Sequence, residues 1–97
     1  MKLRINYPAV MRQANLLSED SSQFSKQIQK TYELEQECRK IWKGDAADEF
    51  IRKISILRQE MIMTNKQMNN LVGTIKDCAN DINNEDKKLA MLLKNKK

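Results

Sequence analysis

Apolar positions recur at alternating spacings of four and three in two long runs. The first reads Val10, Ala14, Leu17, Ser21, Phe24, Ile28, Thr31, Glu35, Cys38, Trp42. The second reads Ala47, Phe50, Ile54, Leu57, Met61, Thr64, Met68, Leu71, Ile75, Cys78, Ile82, Glu85, Leu89, Leu92. Side chains so spaced share one face of an α-helix, so each run predicts a long amphipathic helix. Ser21, Thr31 and Glu35 dilute the first stripe; Thr64 and Glu85 dilute the second. Tyr32, Leu34 and Ile41 widen the apolar face late in the first helix. Ile51, Ile56, Ile62, Met63 and Val72 widen it along the second. The expected spans are about 8–41 and about 45–82, the second extending to about 93 if the Asn-rich segment 80–84 stays helical. The polar interlude 18–22 has mediocre helix propensity. Gly73 costs about 1 kcal/mol relative to Ala, and marks a close helix contact or a slight bend.

Between the runs lies Ile41-Trp42-Lys43-Gly44-Asp45, with the chain's one tryptophan and one of its two glycines. Arg39 and Lys40 stand where a helix C-terminus favours positive charge. Gly44 suits the left-handed residue just past a helix end. Asp45 is the expected cap of the second helix, with Asp48 and Glu49 in its first turn. These signals predict a tight helix–turn–helix reversal at 42–44. Upstream, Leu3, Ile5 and Tyr7 alternate with Lys2, Arg4 and Asn6, as in a short extended leader. Pro8 fits a first-turn position, with Asn6 or Tyr7 as the cap.

The expected fold is therefore all-α: a single domain over residues 1–97, folded as an antiparallel two-helix hairpin about 50 Å long or more. A two-helix hairpin encloses no interior, and each helix carries more apolar surface than one neighbour covers. Exposed stripes of that size mean a partner. The simplest closure is a four-helix bundle of two hairpins, as a homodimer or a heterodimer. The expected partner-packing face is Val10, Leu17, Phe24 and Ile28 with Phe50, Ile54, Leu57, Met61, Met68, Leu71, Ile75 and Ile82. Met61, Met63 and Met68 are read as core filling.

Charge changes this picture little. The net charge of +5 arises wholly from Lys87, Lys88, Lys94, Lys96 and Lys97, since residues 1–86 carry 13 basic and 13 acidic groups. A balanced body argues against a nucleic-acid-binding face, and the basic end is read as a solvated, frayed helix terminus. No apolar run approaches the ~20 residues of a membrane span, so stable membrane insertion is not expected. The start lacks the apolar stretch of a Sec signal peptide. With no histidine, histidine-based acid–base chemistry and His-containing metal sites are excluded. No glycine-rich phosphate loop occurs, and Glu33, Glu35 and Glu37 spread around a helix rather than pair. No enzyme activity, catalytic residue, cofactor or metal is expected. Cys38 lies near the turn and Cys78 far from it, levels about 40 Å apart in a hairpin, which rules out an intrachain disulfide. Both thiols are read as small buried hydrophobes.

Taken together, a length near one hundred residues, a central Trp42-Lys43-Gly44 between two helices, the opening Ile5-Asn6-Tyr7-Pro8 and the continuation Asp45-Ala46-Ala47-Asp48-Glu49-Phe50 resemble the Trp-X-Gly (WXG, ESAT-like) family. The resemblance covers most of the chain. It implies a four-helix dimer and a role in type VII secretion in Gram-positive bacteria, through an ATP-driven membrane channel contacted indirectly. It implies a cytoplasmic protein before export, with Trp42 and Gly44 as the recognition residues of the turn. In the family, the turn tryptophan lies near a partner's C-terminal Tyr-X-X-X-Asp/Glu motif. Here the residues four on from Tyr7 and Tyr32 are Met11 and Gln36. That departure points to a heteromeric role: a targeting partner or chaperone for the helical N-terminal domain of a secreted effector, such as a toxin with a Leu-X-Gly type leader. The alternatives are a homodimeric secreted substrate and, more distantly, a generic coiled-coil scaffold.

Overall fold

Asn6 sets the start of the first helix: its Oδ1 accepts a hydrogen bond from the Ala9 N–H at 3.2 Å. Pro8 sits in the first turn, where its missing N–H has no helical partner to lose. In the computed structural model, which describes residues 5–95, this helix (α1) runs Tyr7–Ile41 and the second (α2) runs Asp45–Asn95. There is no strand among the described residues. Most of the expected leader, residues 1–4, and the last two lysines lie outside the described residues.

Two alternatives left open by the sequence are decided. α2 is uninterrupted through Asn80–Asn84 and on to Asn95. Weak local propensity is outweighed there by packing and pairing: Ala79 is buried, the Tyr7 hydroxyl donates to Asn80 Oδ1, and the Ile5 N–H donates to Asp86 Oδ2 at 2.9 Å. Gly73 marks no close contact, because a Cβ there would meet nothing within 4 Å.

The helices run antiparallel. Glu35 meets Arg58 nearest the turn, Ser21 meets Asn65 and Asn69 midway, and Tyr7 and Ile5 meet Asn80 and Asp86 at the open end. The result is a rod of 81 × 16 × 14 Å. Its length is set by α2, whose 51 residues outrun the 35 of α1. Residues 87–95 project past the tie between Ile5 and Asp86.

On α1 the seam is the stripe read from the sequence: Val10 through Cys38 in four-three steps are all buried or half-buried. On α2 the seam departs from that reading. Ala47, Ile54, Met61, Met68 and Ile75 face inward as expected. The row completing the seam, however, is Ile51, Arg58, Asn65, Val72, Ala79 and Asp86, one residue on from Phe50, Leu57, Thr64, Leu71, Cys78 and Glu85. Val72 is 7% exposed while Leu71 is 51% exposed. One position on a helix is a rotation of about 100°. α2 therefore turns its more polar row toward α1 and leaves the more apolar one outside.

Candidate functional site

The reversal is built from backbone bonds. The Trp42 N–H donates to the Cys38 carbonyl at 2.9 Å, and Trp42 then leaves the helix with an extended backbone. Lys43 Nζ reaches back to the Arg39 carbonyl at 2.7 Å, satisfying an acceptor freed at the helix end. Gly44 has φ +112°, a conformation that side chains oppose. Its carbonyl accepts from the Asp48 N–H at 3.0 Å. Gly44 thus occupies the cap position expected of Asp45, and Asp45 is the first residue of α2. Asp45 and Asp48 keep their place in the first turn, where the helix dipole favours carboxylates.

Trp42 stays 42% exposed at the tip, its ring 5.7 Å from that of Phe50 and inclined at 44°. The two rings form an aromatic surface at the end of the rod, beside the solvated pairs Glu49–Arg52 and Glu49–Lys53. The hydrogen bond from Arg52 holds the Glu49 carboxyl below its ordinary value and, reciprocally, raises Arg52.

The seam carries polar layers that the pattern of apolar residues did not reveal. Glu35 is buried, and its carboxylate accepts from Arg58 Nη2 at 2.8 Å and from Arg39 Nε at 3.3 Å. The Arg58 guanidinium also lies over the Tyr32 ring, 5.4 Å from its centroid. The Arg58 hydrogen bond holds Glu35 below the ordinary glutamate value against the opposing effect of burial. Further along, Ser21 Oγ lies 2.7 Å from Asn65 Oδ1 and 2.6 Å from Asn69 Oδ1. One hydroxyl proton serves one acceptor, so one of the two amides turns its NH2 toward Ser21. The clue in the sequence was Ser21 and Glu35 themselves: polar residues at seam positions require partners.

Of the expected partner-packing residues, Val10, Leu17, Phe24 and Ile28 are half-buried along the seam side of α1. Phe50, Ile54, Met61, Met68 and Ile75 are half-buried on α2. Leu57, Leu71 and Ile82 lie open on the outer side of α2, and Ile56, Ile62 and Met63 are further exposed apolar side chains elsewhere around the same helix. Across the seam, Ala9, Val10, Ala14, Leu16 and Leu17 join Ile75 in an open groove of about 510 Å³. The reading of both cysteines as buried is corrected. Cys38 is half-buried, but Cys78 is exposed because it belongs to the outer row.

Two antiparallel helices joined at a Trp-X-Gly reversal define a class of small helical-hairpin proteins. The family model described as "Proteins of 100 residues with WXG" (WXG100) matches residues 2–87, and the chain belongs to that family. The family is associated with type VII secretion, and its members are non-enzymatic substrates and partners that typically dimerise with helical proteins. No curated protein and no solved structure matches the chain. No helix among the described residues is long and apolar enough to cross a membrane.

Proposed function

We propose that this hairpin is the targeting partner, or chaperone, of an effector exported by a type VII system. It packs its outer α2 face and the adjoining α1 edge on the helical N-terminal domain of that effector, of the Leu-X-Gly leader type, to complete a four-helix bundle. The observation that carries the reading is the uncovered apolar row. Leu57 and Leu71 are each about half exposed although the chain has more polar residues available for solvent. Burying such side chains stabilises a complex by roughly 1.5–3 kcal/mol each for full burial, before the cost of association. Trp42 and Gly44 form the recognition end, where a Tyr-X-X-X-Asp/Glu sequence of the effector would sit beside the tryptophan to make a composite export signal.

Deleting this chain in its host should remove one larger protein with a helical N-terminal domain from the culture medium. Wild-type chain should restore it, and the Leu57→Asp/Leu71→Asp double variant should not. The second reading is a homodimeric secreted substrate using the same face. Accumulation of the chain itself in the medium as a dimer, with no other exported protein depending on it, would favour that reading and sink the first.

A further inference from the structure

α2 offers α1 two adjoining rows, and apolar burial alone favours the wrong one. The inner row contributes Ile51, Arg58, Asn65, Val72 and Ala79; the outer row offers Phe50, Leu57, Thr64, Leu71 and Cys78. Both rows share the same flanking positions from Ala47 to Ile75. If transfer from water decided the matter, the outer row would be drawn into the seam, because it replaces an arginine and an asparagine by a leucine and a threonine. The observed seam does the opposite, and it does so where α1 presents Glu35 and Ser21.

We infer that the pairs Glu35–Arg58 and Ser21–Asn65 act as a facial selector. They determine which side of α2 closes the hairpin, and therefore which side is left to bind another chain. Rotating α2 to the outer row would face the Glu35 carboxylate with Leu57 and the Ser21 hydroxyl with Thr64. The buried carboxylate would lose its 2.8 Å bond to Arg58, and Ser21 its 2.7 Å contact with Asn65. Leaving the Glu35 carboxylate unpaired disfavours the rotated hairpin by roughly tenfold to a hundredfold, and the Ser21 layer adds less, because Thr64 also brings a hydroxyl. The short turn already fixes how the helices slide past one another, so the polar layers are needed for rotation rather than for register. Polar residues specify pairing in the same manner at single core positions of coiled coils, at a cost in stability. The selection is a property of the free hairpin and holds whichever partner covers the outer face.

The experiment uses adjacent thiols as reporters of the outer and inner rows in a Cys38→Ser background. One protein keeps the native Cys78, and a second carries Cys78→Ser with Ala79→Cys. Alkylation rates are measured on full-length monomer, with the mass checked at the working concentration. With the selector intact, position 79, only 2% exposed in the native chain, should react at least about tenfold more slowly than Cys78, since it opens only through local unfolding. Glu35→Arg, which sets two cations face to face, should collapse this ratio toward one, and Glu35→Arg/Arg58→Glu should restore it. The quadruple variant Ser21→Leu/Glu35→Leu/Arg58→Leu/Asn65→Leu should remain helical while losing the bias. Unchanged protection at position 79 in the Glu35→Arg variant would overturn the inference. So would failure of the charge swap to restore it, because the rotation would then be set by apolar shape alone. Should the quadruple variant lose its helical signal, the charge-swap pair still decides.

Discussion

Replacing Gly44 by L-alanine tests the physical basis of the turn motif. Gly44 holds φ +112°, and a Cβ placed there would meet no atom within 4 Å. Steric crowding by neighbours therefore contributes nothing, and the whole cost is conformational. Holding an L-residue in that region costs about 1–3 kcal/mol. At roughly 4–8 °C per kcal/mol for a chain of this size, a central cost of about 2 kcal/mol lowers the melting temperature by some 8–16 °C. Thermal unfolding followed by circular dichroism at fixed protein concentration reads this directly. D-alanine is the control, since its mirror-image preference favours positive φ. Cys38 offers a ligation junction for building the segment that contains it. The D-alanine protein should melt at or above the glycine protein, because it also restricts the unfolded chain. If L-alanine matched glycine, or D-alanine lost as much as L-alanine, the conformational account of Gly44 would be wrong. Recognition of the glycine surface by another molecule would then have to explain the motif.

Four further outcomes follow from the geometry. Glu35→Ala should destabilise the hairpin by about 1.5–3 kcal/mol in chemical denaturation, as expected for a hydrogen bond to a charged group, with Arg58 left short of its anion. Glu35 is held below its ordinary value of 4.5, so its contribution is complete above that pH and is lost as pH falls further through the lowered folded value. A stability–pH curve of Glu35→Gln should accordingly lose part of the acid-side decline. Ile51→Asp or Val72→Asp should unfold the hairpin, whereas Leu57→Asp/Leu71→Asp should leave its helical signal intact and act only on partner binding. Trp42→Ala should cost the contact with Phe50, about 0.5–1.5 kcal/mol, together with the burial of the covered part of the ring, yet reduce export further than that loss of stability explains if the tip is a recognition surface.

Signals that act within one turn of chain were legible in the sequence. The four-three spacing defined both helices, Asn6 and Pro8 marked where α1 begins, and Gly44 marked the reversal. What stayed hidden depends on contacts between the helices. Phe50, Leu57 and Leu71 satisfy the helical period as well as Ile51 and Val72 do, so periodicity could not say which row faces α1. Glu35 and Ser21 decide that through Arg58 and Asn65, residues 23 and 44 positions away. The exposure of Cys78 follows from the same choice. The Asn80–Asn84 segment looked breakable because its propensity is poor, and the ties from Tyr7 and Ile5 that accompany its helical state come from the far end of the sequence. The cap at Gly44 rather than Asp45 was a one-residue shift. A glycine carbonyl accepts the first helical bond as readily as any other.

Whether the hairpin serves an exported effector is decided by a quantitative comparison of the culture medium from the host lacking this chain, complemented with either wild type or Leu57→Asp/Leu71→Asp. One larger protein with a helical N-terminal domain should disappear on deletion, co-purify with the tagged wild-type chain, and return to the medium only with wild type. An unchanged set of exported proteins, with the chain itself released as a dimer, would instead make the hairpin a substrate and rule out the targeting role.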